Sequence, residues 1–293
     1  MTVKSRIIGV LLGSAAILPW LHQPASSEPL LAGPVMNLAV MQRESPIALH
    51  GSAVPGAEVS IEIAGIGAST RADESGEWRT VLPAMSAGGP YTLSVKDSSG
   101  TSTYEDILIG DVFLCSGQSN MEFPVYRALN PDRVIETATN PKLRLMTVPQ
   151  VTSITPLKTL PEGTVWEDVT PETVRDFSAV CYLSGRALQE DRDVPVGLID
   201  ASWGGSQIEA WLSADDLEHV GGFSAQLHQL SLYASDKHAA MMAYGEEWER
   251  WWRAAYEGDT TWAGSGEGAG WKPAPAEMAA GRTTEPMRCP LHF

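Results

Sequence analysis

The sequence predicts an α/β fold: a small β-sandwich followed by a unit in which helices cover both faces of a parallel sheet. Three observations carry this. From about residue 38 to 104, short runs alternate apolar and polar residues with a period of two, as in Val59-Ser60-Ile61-Glu62-Ile63 and Tyr91-Thr92-Leu93-Ser94-Val95. From residue 112 onward, apolar strands alternate with helix-patterned stretches, the signature of a sheet buried on both sides. Two of those strands run directly into small-residue turns containing glycine.

Taken in order, the chain begins with Lys4 and Arg6, an apolar run over residues 7–21, and the small residues Ala25-Ser26-Ser27. This is the pattern of a secretory signal peptide over residues 1–27, leaving a mature chain that starts near Glu28. The competing reading is a membrane anchor, but the run is short for a spanning helix and contains Pro19. Residues 28–105 are expected to form the β-sandwich, of immunoglobulin-like type. Pro55-Gly56, Glu74-Ser75-Gly76 and Gly88-Gly89-Pro90 mark its turns, and Trp78 and Leu82 fill its core. It holds no cluster of titratable groups, so its expected role is structural or a weak contact to glycan.

Residues 106–257 form the second unit. Strands are expected at 112–115, 143–148 and 196–201, with helices at about 176–190 and 207–212. A further helix, capped by Ser235, is expected to run to about residue 257. It places Met241, Tyr244, Trp248, Trp251, Trp252 and Ala255 on one face, a spacing that predicts core rather than a sugar platform. Residues 258–293 are rich in Gly, Ala and Pro and read as a loop or disordered tail.

Composition excludes some functions. With 20 Lys and Arg against 36 Asp and Glu, the formal net charge of −16 argues against nucleic acid or an anionic membrane surface as partner. The three cysteines, Cys115, Cys181 and Cys289, leave at least one thiol unpaired; Cys115 and Cys181 are expected as inert core thiols. Neither a C-x-x-C nor an H-E-x-x-H spacing is present, so neither metal nor cofactor is expected.

The chemistry is concentrated in two stretches. In Asp111-Val112-Phe113-Leu114-Cys115-Ser116-Gly117-Gln118-Ser119-Asn120-Met121, an apolar strand ends in a glycine turn that presents Ser119 between two side-chain amides, Gln118 and Asn120. A hydrolase exposes a nucleophilic hydroxyl beside free backbone N–H groups in this way, although Ser, Gly and Asn are also ordinary turn residues. In Pro195-Val196-Gly197-Leu198-Ile199-Asp200-Ala201-Ser202-Trp203-Gly204-Gly205, a second buried strand runs into a Gly-Gly turn. Adjacent glycines let the backbone approach a ligand and aim N–H groups at an oxyanion; alone, the same turn also serves as a plain strand–helix connection. In an open parallel sheet, ligands bind at the carboxyl ends of the strands, where both turns lie.

Together the stretches resemble the sialate O-acetylesterase family of the SGNH (GDSL-like) hydrolases. The family pattern G-D-V-x-L-C-S-G-Q-S-N-M-E reads without a gap from Gly110 to Glu122, and P-V-G-L-I…W-G-G-[TS]-x-x-E-A-W matches residues 195–211. Phe177-Ser178-Ala179-Val180 and Gly185-Arg186 fit the F-S-A-V…G-R helix between them. The likeness covers roughly residues 51–213. It implies an SGNH-type three-layer α/β/α domain preceded by a β-domain. Ser119 becomes the nucleophile, its own N–H and that of Gly205 or Gly204 the oxyanion donors, and Gln118 and Asn120 members of the same binding set.

Two family features are missing: the late D-x-x-H motif that carries the base, and the W-Y-Q-G-E-[SA] strand end. Asp216-Leu217-Glu218-His219 spells D-x-x-H, but only a few residues after the Gly-Gly turn and in a polar stretch. Asp236-Lys237-His238 begins a helix, His50 falls in the β-domain, His22 in the signal and His292 in the tail. With three parallel strands where the family has about five, the sheet is expected to be incomplete, with an unpaired apolar edge. The resemblance therefore implies the N-terminal part of such an enzyme, truncated at its C-terminus, with a separate C-terminal fragment as a candidate partner.

The expected function is hydrolysis of sugar O-acetyl esters through an acetyl-serine intermediate, with an acetylated glycan as substrate, no cofactor, and a periplasmic or extracellular location. The alternative is a non-catalytic or glycan-binding fragment that lacks the catalytic histidine and aspartate.

Overall fold

The computed structural model describes residues 30–255, except the side chains of residues 252, 253 and 255. The predicted signal peptide, the whole tail, Cys289, His22 and His292 lie outside the described residues.

Alternating patterns become strands because each places one side chain in two toward a core. The first half of the chain holds β1 (Leu30–Leu31), β2 (Val40–Gln42), β3 (Ile47–Ser52), β4 (Glu58–Ile63), β5 (Ile66–Arg71), β6 (Glu77–Leu82), β7 (Gly88–Lys96) and β8 (Thr101–Gly117). Strands β1, β3 and β6 form an antiparallel three-stranded sheet. Ile47, Leu49, Trp78 and Leu82 of this sheet bury into one cluster with Val59, Ile61, Ile63, Leu93, Val95, Ile107 and Ile109 of β4, β7 and β8. Gly88-Gly89-Pro90, expected as a turn, instead lies within β7, where the register to β8 shifts on either side of Tyr91. The irregularity absorbs the proline, which has no N–H to give to a ladder.

The second half holds α1 (Ser119–Glu122), α2 (Pro131–Glu136), β9 (Asn140–Thr147), β10 (Trp166–Val169), α3 (Pro171–Arg175), α4 (Ala179–Arg192), β11 (Val196–Ser202), α5 (Ala214–Val220), α6 (Ser224–Ser235) and α7 (Lys237–Ala255). The large mixed sheet runs β10-β9-β11-β8-β7-β4-β5, with β2 also on β8. Strands β9, β11 and β8 are mutually parallel, as expected. Helix α4 packs on β11 and β9, burying Leu143, Leu145, Val196 and Leu198 with Phe177, Cys181 and Tyr182. Gly185 permits this close approach, because a Cβ there would stand 2.5 Å from both methyls of Leu198.

Strand β8 is a single 17-residue strand, so the boundary expected near residue 105 falls inside it. It pairs antiparallel with β7 up to Ile109 and parallel with β11 from Asp111. Its odd-numbered side chains serve both cores: Ile107 and Ile109 enter the first cluster, and Phe113 and Cys115 pack on the second. Asp111, between them, is bonded by Arg43 Nε at 2.9 Å and Arg192 Nη1 at 2.8 Å. The Arg43 guanidinium, and after it Arg192, outweighs burial and holds the Asp111 carboxyl below the usual carboxylate range.

At the sheet edges, β10 lies antiparallel along β9. Beyond Val112, whose N–H donates to Gln42 Oε1 at 3.0 Å, the other side of β8 has no strand partner among the described residues. Leu114 stands 67% exposed on this stretch.

Four local expectations are corrected. Cys115 and Cys181 are not free thiols: they form a disulfide across 66 residues, with their Cα atoms 5.9 Å apart. The end of β8 meets the first turn of α4 at bonding distance, a contact between elements that residue spacing does not reveal. Helix α4 starts at Ala179 rather than about 176, because the Ser178 hydroxyl accepts from Cys181 N and caps it. The helix expected at 207–212 is only a 3-10 turn, Ile208–Trp211, between extended residues Gln207 and Leu212. Ser235 ends α6 instead of capping α7; Asp236 does the capping, its Oδ1 accepting from Ala239 N at 2.9 Å.

On α7 the expected core face is not fully buried. Met241 is 67% exposed, while Trp248 and Trp251 meet edge to face with centroids 5.2 Å apart.

The disulfide closes a long loop and ties the strand beneath Ser119 to α4. Its reduction, or Cys181→Ser, is expected to cost about 2–4 kcal/mol. Urea unfolding with and without reductant measures this; identical midpoints would mean that the link contributes nothing.

Candidate active site

The two glycine turns meet. The parallel register pairs Val196 with Asp111 and continues to Ser202 opposite Gly117, so both strands end at the same level. Trp203 N then donates to Gly117 O at 2.9 Å, extending the ladder by one bond. Gly117, at φ +141°, turns the chain where a side chain would be strained, and Ser119 follows as the first residue of α1. A Cβ on Gly204 would lie 3.6 Å from Ser119 Oγ. The serine and the Gly-Gly turn, 85 residues apart in sequence, thus stand side by side at the carboxyl ends of adjacent strands.

The backbone donors divide clearly. Gly204 N–H is committed to Glu122 Oε2 at 2.7 Å. Among the described residues, the N–H groups of Ser119 and of Gly205, at φ +79°, have no hydrogen-bond partner. The turn is further held by Ser206, whose Oγ donates to Trp203 O at 2.6 Å and accepts from Trp211 Nε1 at 2.9 Å.

The Ser119 hydroxyl donates to Gln118 Oε1 at 3.0 Å. Asn120 is exposed beside it. No described histidine bonds this hydroxyl. Asp216 accepts from the Ser213 hydroxyl at 2.6 Å and its backbone N–H is capped by the same oxygen, so it serves the start of α5; His219 is exposed near the end of that helix. His238 is also exposed. Among the described residues, no group of three His, Cys, Asp or Glu side chains is placed to hold a metal ion.

Three polar residues join the site without having been singled out in the sequence. Glu122 closes the first motif. Gln150 follows β9, and its Nε2 donates to Glu122 Oε1 at 2.6 Å and to Ser202 O at 3.2 Å. Asp200 is buried at 7% exposure in β11, and its Oδ1 has no hydrogen-bond partner. Burial pushes the Asp200 carboxyl above the usual range; bonds from Ser202 oppose this, and the nearby Glu122 charge adds to it. An acid directly after the apolar run 196–199 is a legible signal, whereas Gln150 sits in a loop with none.

No protein-family profile matches the chain. Human sialate O-acetylesterase is 31% identical over 240 residues, covering 75% of this chain and 45% of that protein. The mouse sialate O-acetylesterase is 33% identical over 203 residues, covering 63% of this chain and 38% of that protein. The chain therefore spans less than half the length of these relatives. Among solved structures, a carbohydrate acetylesterase from Xanthomonas citri superposes with a TM-score of 0.63 at 37% identity, covering 65% of this chain and 43% of its own.

Because the folded carboxyl of Asp200 is raised, its stabilising protonated form is fully present below the unfolded value and is lost as pH climbs through the folded one. Asp200→Asn is expected to raise stability by on the order of 1 kcal/mol at pH 7 and by nothing below about pH 4. Urea denaturation at both pH values checks this; a pH-independent difference would contradict the assignment.

Proposed function

Over the residues it shares with its relatives, this chain belongs to the sialate O-acetylesterase family, and from that premise we propose that it acts as a carbohydrate O-acetylesterase. The observation that carries the reading is the placement of Ser119 beside the Gly204-Gly205 turn at the carboxyl ends of β8 and β11, where the N–H groups of Ser119 and Gly205 have no hydrogen-bond partner among the described residues.

In this reaction Ser119 Oγ attacks the acetyl carbonyl carbon. The carbonyl oxygen takes up negative charge, which the two N–H groups stabilise. The intermediate collapses with cleavage of the bond to the sugar oxygen, which leaves with a proton as the sugar hydroxyl. Water then cleaves acetyl-Ser119, releasing acetate and restoring the hydroxyl. Gly205, rather than Gly204, supplies the second donor, since Gly204 N–H is already bonded to Glu122.

The proton on Ser119 needs an acceptor, and a histidine is the usual one. Here the hydroxyl points to Gln118, an observation that also favours a second reading, sugar binding without turnover. The substrate class under either reading is an acetylated sugar, with sialic acid esters and acetylated xylan both fitting the chemistry. The Cys115–Cys181 disulfide supports export, since such bonds persist in oxidising compartments. Mature protein isolated from the periplasm or medium is expected to begin near Glu28, and its intact mass tests this; a mass retaining Met1 would count against export.

The activity reading is tested with an aryl acetate and purified residues 28–293. Among the described residues the serine has no positioned base, so turnover is expected to be weak, roughly 10³-fold above water. In a completed enzyme Ser119→Ala should lower turnover of an acetyl ester by several orders of magnitude, while His219→Ala should leave the rate of this chain unchanged. Turnover that survives Ser119→Ala would place the nucleophile elsewhere, and turnover lost with His219 would make that residue the base.

A further inference from the structure

Glu122 stands three residues after Ser119, on the same short helix, and reaches out of it to the neighbouring strands. Its two carboxylate oxygens are used separately. Oε2 accepts from Gly204 N at 2.7 Å, and Oε1 accepts from Gln150 Nε2 at 2.6 Å. Gln150 Nε2 also donates to Ser202 O at 3.2 Å. One carboxylate thus links the segments that follow β8, β9 and β11, the three parallel strands of the site.

Gly204 is shaped to this contact: a Cβ on it would collide with Glu122 Oε2. Any side chain on the residue that receives the clamp would push the carboxylate away, although the N–H of that residue is already committed to it. The next N–H, that of Gly205, is the unoccupied one. The Gly204 and Gly205 N–H groups lie in successive peptide planes joined at the Gly204 Cα, so holding the first leaves only the φ and ψ of Gly204 between the clamp and the Gly205 donor. A charged acceptor makes the stronger kind of hydrogen bond, and a half-buried one keeps its place without water taking over.

We propose that Glu122 is the positioning residue of this site, a carboxylate clamp that sets the Gly204–Gly205 turn, and with it the Gly205 donor, against Ser119. The proposal rests on the reading of Ser119 as nucleophile. The chemistry of the side chain makes it specific. Glutamine at 122 can still accept from Gly204 with its one carbonyl oxygen, but its amide would then face the Gln150 amide, donor against donor. Alanine loses both bonds.

The test uses the full chain and two readouts. The first is amide hydrogen exchange of Gly204 and Gly205 by NMR. The second is the rate at which a fluorophosphonate labels Ser119, followed by mass, separated into affinity and maximal rate. Glu122→Ala is expected to speed Gly204 exchange roughly tenfold or more and to lower the maximal labelling rate about 10²-fold, the scale of losing one oxyanion donor, with little change in affinity. Glu122→Gln should keep Gly204 protected and label within about tenfold of the parent. Unchanged Gly204 exchange in Glu122→Ala, or equal losses in the Ala and Gln variants, would overturn the clamp. Ser119→Ala separates the two ideas. Labelling that survives it refutes the nucleophile reading; in that case, or with a parent that takes no label, the Gly204 exchange result decides the clamp by itself.

Discussion

The parallel pairing of β11 with β8 is the constraint on which the site depends. Seven consecutive residue pairs, from Val196 with Asp111 to Ser202 with Gly117, leave no slack in where the two strands end. A slip of one residue would invert every side chain of β11, sending Leu198 away from α4 and Asp200 to the opposite face. It would also displace the Gly-Gly turn along the strand direction by about 3.3 Å, enough to take its N–H groups out of range of a carbonyl on Ser119. Burial of Val196 and Leu198 beneath α4 therefore fixes the chemistry as well as the packing.

Strand β8 transmits this constraint through the molecule. Its lower half is one wall of the first core, and its upper half leads to the nucleophile. At the transition, Asp111 engages Arg43 from the first half of the chain and Arg192 from the end of α4. The charge is compensated from both sides, so the strand crosses from one core to the other without leaving a buried carboxylate unpaired. The Cys115–Cys181 disulfide repeats the same logic covalently, four residues before Ser119.

The site concentrates acid where the substrate is expected to acquire negative charge. Glu122 and Asp200 stand close enough that the charge of one raises the carboxyl of the other. The structure separates their tasks by burial. Glu122 is half exposed and spends both oxygens on donors, whereas Asp200 is buried with one oxygen unpartnered, an arrangement that favours its protonated form. The formal charge of −16 repels anions at long range, which leaves recognition of any acidic sugar to close contacts.

By itself the sequence determined the strands that carry the site and the two turns, but not β10 or α6. Apolar alternation marks β4 and β7, the buried runs mark β8, β9 and β11, and the glycines after Cys115 and Trp203 mark the places where the backbone must bend tightly. Local patterns suffice there, because they record which face of each element is buried. Only the tertiary structure decided which residues meet. Cys115 and Cys181 read as separate core thiols until β8 and α4 are packed together. Gly204 and Gly205 read as equivalent donors until Glu122 occupies one of them. Gln150, in a loop without pattern, becomes part of the site only through the register of β9 on β11. Such contacts join residues tens of positions apart, and their distances are set by sheet register and helix packing, which no local run of residues encodes.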